Sequence, residues 1–194
     1  MPVSAGLEAG LRGAHLALDF STAAGAAATV RACAGARVPL LLGTTGLGPG
    51  MPALLQGAAS QIPLMVAANT SLGVALLLDL VRQAAATLGA DFDIQVQETH
   101  HRSKLDAPSG TALALGAAAI EGRGAGAAVG YASLRGGDVV GEHEVHFLGP
   151  GERIRLAHSA TDRSVFARGA LRAGCWLVRQ GPGSYRIGDV RGEK

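Results

Sequence analysis

Residues 98–112 read Glu-Thr-His-His-Arg-Ser-Lys-Leu-Asp-Ala-Pro-Ser-Gly-Thr-Ala. His100, His101, Arg102 and Lys104 fall within five positions of a chain otherwise dominated by Ala, Gly, Leu and Val. These types suit two tasks, holding a small polyanion and moving a proton. Histidine titrates near neutrality and can give or take a proton at working pH, which makes His100 a candidate proton donor. Lys104 adds a compact positive charge and a second transferable proton. Ser109, Gly110 and Thr111 stand where an Ala/Leu-rich segment (112–120) begins. Backbone N–H groups at a helix start are unpaired and favour negative charge. Gly110 also leaves room for a ligand to approach the backbone. By residue type alone, the same string also reads as a solvated basic loop ahead of a capped helix, the commoner case for an arbitrary basic run.

The elements around this run place it. Phe92, Ile94 and Val96 alternate as in a strand, and Pro108-Ser109-Gly110-Thr111 opens a helix. The cationic residues thus lie between a strand end and a helix start, where open α/β sheets meet ligands. Upstream, residues 15–21, 38–42 and 62–66 read as buried strands. Helices are expected over about 22–35, 50–60 and 71–88. Continuous apolar strands alternating with helices predict a parallel sheet covered on both faces. Past residue 121 the pattern changes. Segments 129–134, 138–147 and 153–159 are strand-like without helices between them, which predicts a mixed or antiparallel sheet. Residues 163–179 read as a closing helix and 185–190 as a short tail. The fold class is α/β: a partial Rossmann-like parallel sheet with helices, plus an α+β domain with a mixed sheet. The boundaries drawn are 1–70, joined by about 163–194, for a partial dinucleotide-binding domain, and 71–162 for a substrate-binding and oligomerisation domain.

The chain has 194 residues, enough to bury a core without staples. A net charge of +2 gives no footprint for nucleic acid. The apolar runs, such as 74–78, are too short to span a bilayer, and no signal-peptide pattern is present, so a soluble cytoplasmic protein is expected. Cys33 and Cys175 lie in apolar contexts and read as a reduced, buried pair. His143 and His146, three apart on a strand, point to opposite faces and do not converge on one tetrahedral ion, and no metal is expected.

Two further loops follow strands. Gly43-Thr44-Thr45-Gly46 follows residues 38–42, and Ala67-Ala68-Asn69-Thr70 follows residues 62–66. Each reads either as a plain turn or helix cap, or as a strand-end loop beside a bound nucleotide. Arg163 reads either as a carboxylate ligand or as the partner of a neighbouring acid.

The run Glu98–Ala112 resembles the signature Glu-x-His-His-x-x-Lys-x-Asp-x-Pro-Ser-Gly-Thr-Ala of dihydrodipicolinate reductases, with every fixed position present. Asp19-Phe20-Ser21, Gly43–Gly46, residues 67–74, Arg135–His143 and Arg163–Ala170 are similar to other segments of that family, so the resemblance spans nearly the whole chain. It implies an NADH- or NADPH-dependent enzyme of lysine and diaminopimelate biosynthesis that reduces 4-hydroxy-tetrahydrodipicolinate to tetrahydrodipicolinate. By resemblance, His100 and Lys104 are catalytic, and His101, Ser109, Gly110 and Thr111 bind the dicarboxylate substrate. Gly43, Thr44, Thr45, Ala67, Ala68, Asn69 and Thr70 line the nicotinamide, and the Arg135–His143 segment belongs to the sheet that forms a homotetramer. Thr70 stands where the family often has an aromatic residue or Met. The family's glycine-rich turn after a first strand has no counterpart. Gly6, Gly10 and Gly13 precede the first strand rather than follow one. The comparison implies a start inside the cofactor domain, short of on the order of 60 residues, the span of two βαβ units. Weak nucleotide binding is the expectation that follows. The alternative function is an N-terminally truncated remnant, weakly active or inactive, serving as a dicarboxylate-binding or structural oligomer.

Overall fold

The computed structural model describes residues 6–190. The chain divides into two compact units, one of residues up to Ser71 together with Phe166 onward, the other Leu72–Val165.

The first unit is built on a parallel sheet. Strands β1 (Ala17–Asp19), β2 (Leu40–Leu42) and β3 (Pro63–Val66) pair in parallel register, for example Leu18 with Leu41 and Leu41 with Met65. Leu40, Leu41 and Leu42 are all fully buried, as the unbroken apolar run requires of a strand covered on both faces. Helix α1 (Leu7–Leu11) precedes the sheet, and α2 (Ala23–Ala36) and α3 (Met51–Ala59) make the crossovers. Ala26, Val30 and Cys33 of α2 pack with Leu40, Leu42 and Leu64 into one core. The closing helix α6 (Ser164–Leu177) brings Ala173 and Leu177 onto Leu41 and Met65 from another side.

A fourth strand escapes the sequence reading. The chain returns after α6 as β8 (Gly183–Tyr185), parallel to β3. Three residues beginning with glycine carry no alternation to signal it, and its pairing comes from a partner far away in sequence. One expectation also fails on α6. Cys33 is buried, but Cys175 is exposed, because the inward stripe of α6 runs through Ala170, Ala173 and Leu177.

The second unit holds a mixed sheet ordered β5-β4-β6-β7. Strand β4 (Asp93–His100) pairs in parallel with β5 (Val129–Arg135) and antiparallel with β6 (Gly141–Leu148), which pairs antiparallel with β7 (Arg153–Ala160). Ile94, Val96, Glu98 and His100 share one buried face of β4, as the two-residue period dictates. Helices α4 (Leu72–Leu88) and α5 (Gly110–Arg123) cover that face, with Leu77, Val81, Leu115 and Ala119 meeting Ile94, Val96, Val145 and Phe147. Gly122 lets α5 lie against the Arg82 carbonyl of α4, where a Cβ would collide with backbone. The span Leu72–Asp91 is long and apolar enough to cross a bilayer by length and composition, yet Leu77, Val81 and Ala85 of α4 face the core of this unit.

Candidate active site at the end of strand β4

The buried stripe of β4 is apolar at Ile94 and Val96 and then turns polar. Glu98 is 1% exposed and His100 8% exposed, both on the face that α5 covers. A buried carboxylate is costly unless paired and hydrogen-bonded. Glu98 is satisfied from several sides. The Arg135 guanidinium forks onto it, Nη1 to Oε2 at 2.8 Å and Nη2 to Oε1 at 2.7 Å. Arg135 sits on β5, whose parallel register places Ser133 opposite Glu98 and Arg135 opposite His100. The Ser109 backbone N–H donates to Oε1 at 3.2 Å, and His100 Nδ1 lies 2.5 Å from Oε2. Burial alone would raise the Glu98 carboxyl. The bonds from Arg135, Ser133 and His100 overcome it and hold the group at about 2. Glu98 is therefore an acceptor only, and His100 Nδ1 must be the donor between them. Nε2 is then the ring nitrogen that Glu98 does not hold.

Ser109 caps α5, its Oγ accepting from Ala112 N–H at 3.2 Å. The same Oγ lies 3.2 Å from His143 Nε2. Its amide and hydroxyl are thus engaged within the protein. Gly110 is exposed, and a Cβ built on it would meet nothing within 4 Å, so the first turn of α5 is open to an approaching group there. His101 Nδ1 lies 2.8 Å from Ser103 Oγ. Lys104 Nζ donates to both Asp106 oxygens, at 2.7 and 2.9 Å. Asp106 is largely exposed, and a pair of that kind is worth only about 0–1 kcal/mol, so it holds Lys104 only weakly. The structure therefore gathers His100, Ser109, Gly110 and the Lys104 loop at one strand–helix junction. Sequence reasoning missed Glu98 and Arg135 as its supports. Arg135 reads from sequence as a structural, subunit-facing residue. The signal for Glu98 was its spacing of two from His100, which puts both on one face of a strand.

His143, on the neighbouring strand, is 4% exposed and meets His100 edge to face at 5.1 Å between ring centres. Burial, then the His100 charge, lowers it from 6.5 to about 4. Glu98 opposes that shift, while His158 and Lys104 add to it. The unfolded chain takes up this proton first, so the stability His143 contributes is full above about pH 6.5 and is lost as pH falls toward about 4. The span corresponds to about 3 kcal/mol. Urea midpoints measured across this window should fall for the native chain. The slope should flatten in His143→Gln, and an equal slope in that variant would contradict the assignment.

In the other unit, the carboxyl ends of β1, β2 and β3 carry the remaining candidates. Thr44 is buried, and its hydroxyl donates to Asp19 Oδ1 at 3.0 Å, while Ser21 N–H donates to Thr44 Oγ1 at 3.1 Å. Burial raises the Asp19 carboxyl, but its bonds from Ser21, Thr29 and Thr44 bring the net shift downward. Thr44 thus latches two strand ends together. Gly43 lies beneath the Phe20 ring, where a side chain would collide with it, and Phe20 is itself 55% exposed. Thr45 and Ala68 are exposed, and Asn69 accepts from Ser71 N–H at 2.9 Å. Thr70 is buried. Its hydroxyl donates to the Phe166 carbonyl at 2.7 Å and its own carbonyl faces Gly169 of α6. Thr70 therefore anchors the loop to α6.

A parallel α/β sheet with polar loops at its carboxyl ends, and a mixed sheet ending in a buried acid–histidine pair before an open helix start, define a two-unit α/β protein. Residues 1–70 match the family described as dihydrodipicolinate reductase, N-terminus, and residues 73–190 match dihydrodipicolinate reductase, C-terminus. The chain belongs to the dihydrodipicolinate reductase family. A 4-hydroxy-tetrahydrodipicolinate reductase of Zymomonas mobilis is 49% identical over 193 residues, covering 90% of this chain and 76% of the relative. One from Dinoroseobacter shibae is 47% identical, covering 92% and 73%. A solved structure of a dipicolinate-bound dihydrodipicolinate reductase from Paenisporosarcina sp. TG-14 shares the fold, with a TM-score of 0.82 at 22% identity, covering 98% of this chain and 82% of that one.

Proposed function

We infer that this chain is a reductase of a cyclic imine dicarboxylate, converting 4-hydroxy-tetrahydrodipicolinate to tetrahydrodipicolinate with NADH or NADPH. Family membership and relatives of that name at 49% and 47% identity support the activity. The observation that carries the site is the Glu98–His100 pair buried beside the open start of α5.

A bound nicotinamide nucleotide supplies the hydride, and the 4-hydroxyl departs as water, which balances the reduction. The residues suited to the nucleotide's ring are Gly43, Thr44 and Thr45 with Ala67, Ala68, Asn69 and Thr70. The exposed Phe20 ring lying across Gly43 at a strand end fits a planar ligand. The unit that holds β1–β3 is accordingly assigned to nucleotide, and Leu72–Val165 to substrate and subunit contact, a tetramer by family resemblance.

The chain's own residues handle the anion and the proton. His101 and Lys104 meet the substrate carboxylates. Gly110 and Thr111 offer helix-start donors to one of them, and Ser109 holds that turn in place. His100, in its doubly protonated form, gives the Nε2 proton to the carbon beside the one reduced and is left as the Nδ1–H imidazole. Lys104 leaves Asp106 for the substrate as it binds.

Incubation of the chain with the synthetic substrate and either nucleotide tests this, product being identified by mass spectrometry. Formation of tetrahydrodipicolinate with matching nucleotide oxidation is expected. Dicarboxylate binding without any oxidation would favour a non-catalytic binding protein.

A further inference from the structure

Two neighbours of His100 stand outside the roles given so far. Glu98 accepts from Nδ1, and it is itself fixed by a fork from Arg135 and by the Ser109 amide. Arg135 is anchored in turn, Nη1 donating to the Leu134 carbonyl at 2.6 Å and Nη2 to the Asp106 carbonyl at 2.7 Å. The carboxylate therefore has one orientation available and ties the histidine to the turn that starts α5. On the far side of the ring lies Gly141. A Cβ there would stand 3.1 Å from His100 Nε2 and 3.4 Å from Cδ2. A contact that close crowds the atom that must exchange the proton.

We propose that Glu98 is the positioning residue of the proton-transfer histidine, fixing the Nδ1–H tautomer so that Nε2 faces the reaction, with Arg135 locking Glu98 and Gly141 keeping the space beside Nε2 clear. The assignment rests on the reading of His100 as proton donor. A carboxylate behind a working imidazole sets which nitrogen carries the proton, and losing it leaves the ring present but wrongly protonated. A glutamine at 98 offers an amide donor and can reverse the tautomer.

The first measurement needs neither turnover nor a variant. Nitrogen-15 NMR of the histidine-labelled native chain should show neutral His100 protonated at Nδ1, and an Nε2–H tautomer would overturn the proposal. In Glu98→Gln the signal should switch to Nε2–H and kcat should fall by roughly 10- to 100-fold, while dipicolinate binds as in the native chain. Native kcat with a switched tautomer would overturn it equally. Should Glu98→Gln fail to fold, Gly141→Ala provides the second variant, expected to keep the Nδ1–H tautomer and lose turnover. A Gly141→Ala variant with native kcat would count against the clearance role and the facing of Nε2. Native turnover in His100→Gln, alongside an Nδ1–H tautomer of His100 in the native chain, would instead refute the activity reading and leave the Glu98 geometry standing.

Discussion

His100→Gln should lower kcat by roughly 10²–10⁴-fold, the usual loss for a positioned acid, with little change in the affinity for dipicolinate. The variant keeps a polar side chain of similar reach and can still hydrogen-bond to Glu98, so the buried pair is not left empty. What it lacks is a ring nitrogen that can carry and release a proton. His143 cannot substitute. It is held neutral by burial and has its Nε2 on Ser109. Steady-state kinetics with a thermal-unfolding control checks the prediction. A kcat within a few-fold of native in a folded variant would remove His100 from the mechanism.

Lys104→Ala should be as damaging to turnover, again roughly 10²–10⁴-fold, but unlike His100→Gln it should also weaken dipicolinate. A charge-assisted hydrogen bond contributes about 1.5–3 kcal/mol, so the affinity should drop roughly ten- to a hundredfold. Stability should change little, because Lys104 pairs with the exposed Asp106 on its own loop. Asp106→Asn supplies the complementary control. Freed of that carboxylate, Lys104 should bind dipicolinate at least as well as before. Calorimetric titration distinguishes these outcomes. Native affinity in Lys104→Ala would show that the lysine faces something other than the anion.

Much of this was legible in the residues. Leu40–Leu42 and residues 63–65 are buried on both faces of the sheet, as runs without polar alternation require. The Ser109 cap and the helix behind it follow from Pro108-Ser109-Gly110 ahead of an Ala/Leu run. The chemistry-bearing types at 100, 101 and 104 were equally plain. Hidden were the relations that pairing creates. Arg135 meets Glu98 only because β5 runs parallel to β4 in a register that sets it beside His100. A linear reading has no access to that register. The β8 strand and the outward turn of Cys175 went unseen for the same reason. Tertiary partners decide both, and local periodicity carries no trace of them. Thr44 and Thr70 show the converse case, residues read as ligand contacts whose hydroxyls serve first to hold their own loops.

Under the proposed function, the open start of α5 grips the anion within reach of the proton-bearing His100. Amide NMR of the native chain during titration with dipicolinate tests it most directly. Saturable shifts at Gly110 and Thr111, accompanied by changes at the His100 and His101 rings and at the Lys104 ammonium, are the predicted result. Saturable binding whose shifts bypass the 100–111 segment, or no binding of the dicarboxylate at all, would contradict it.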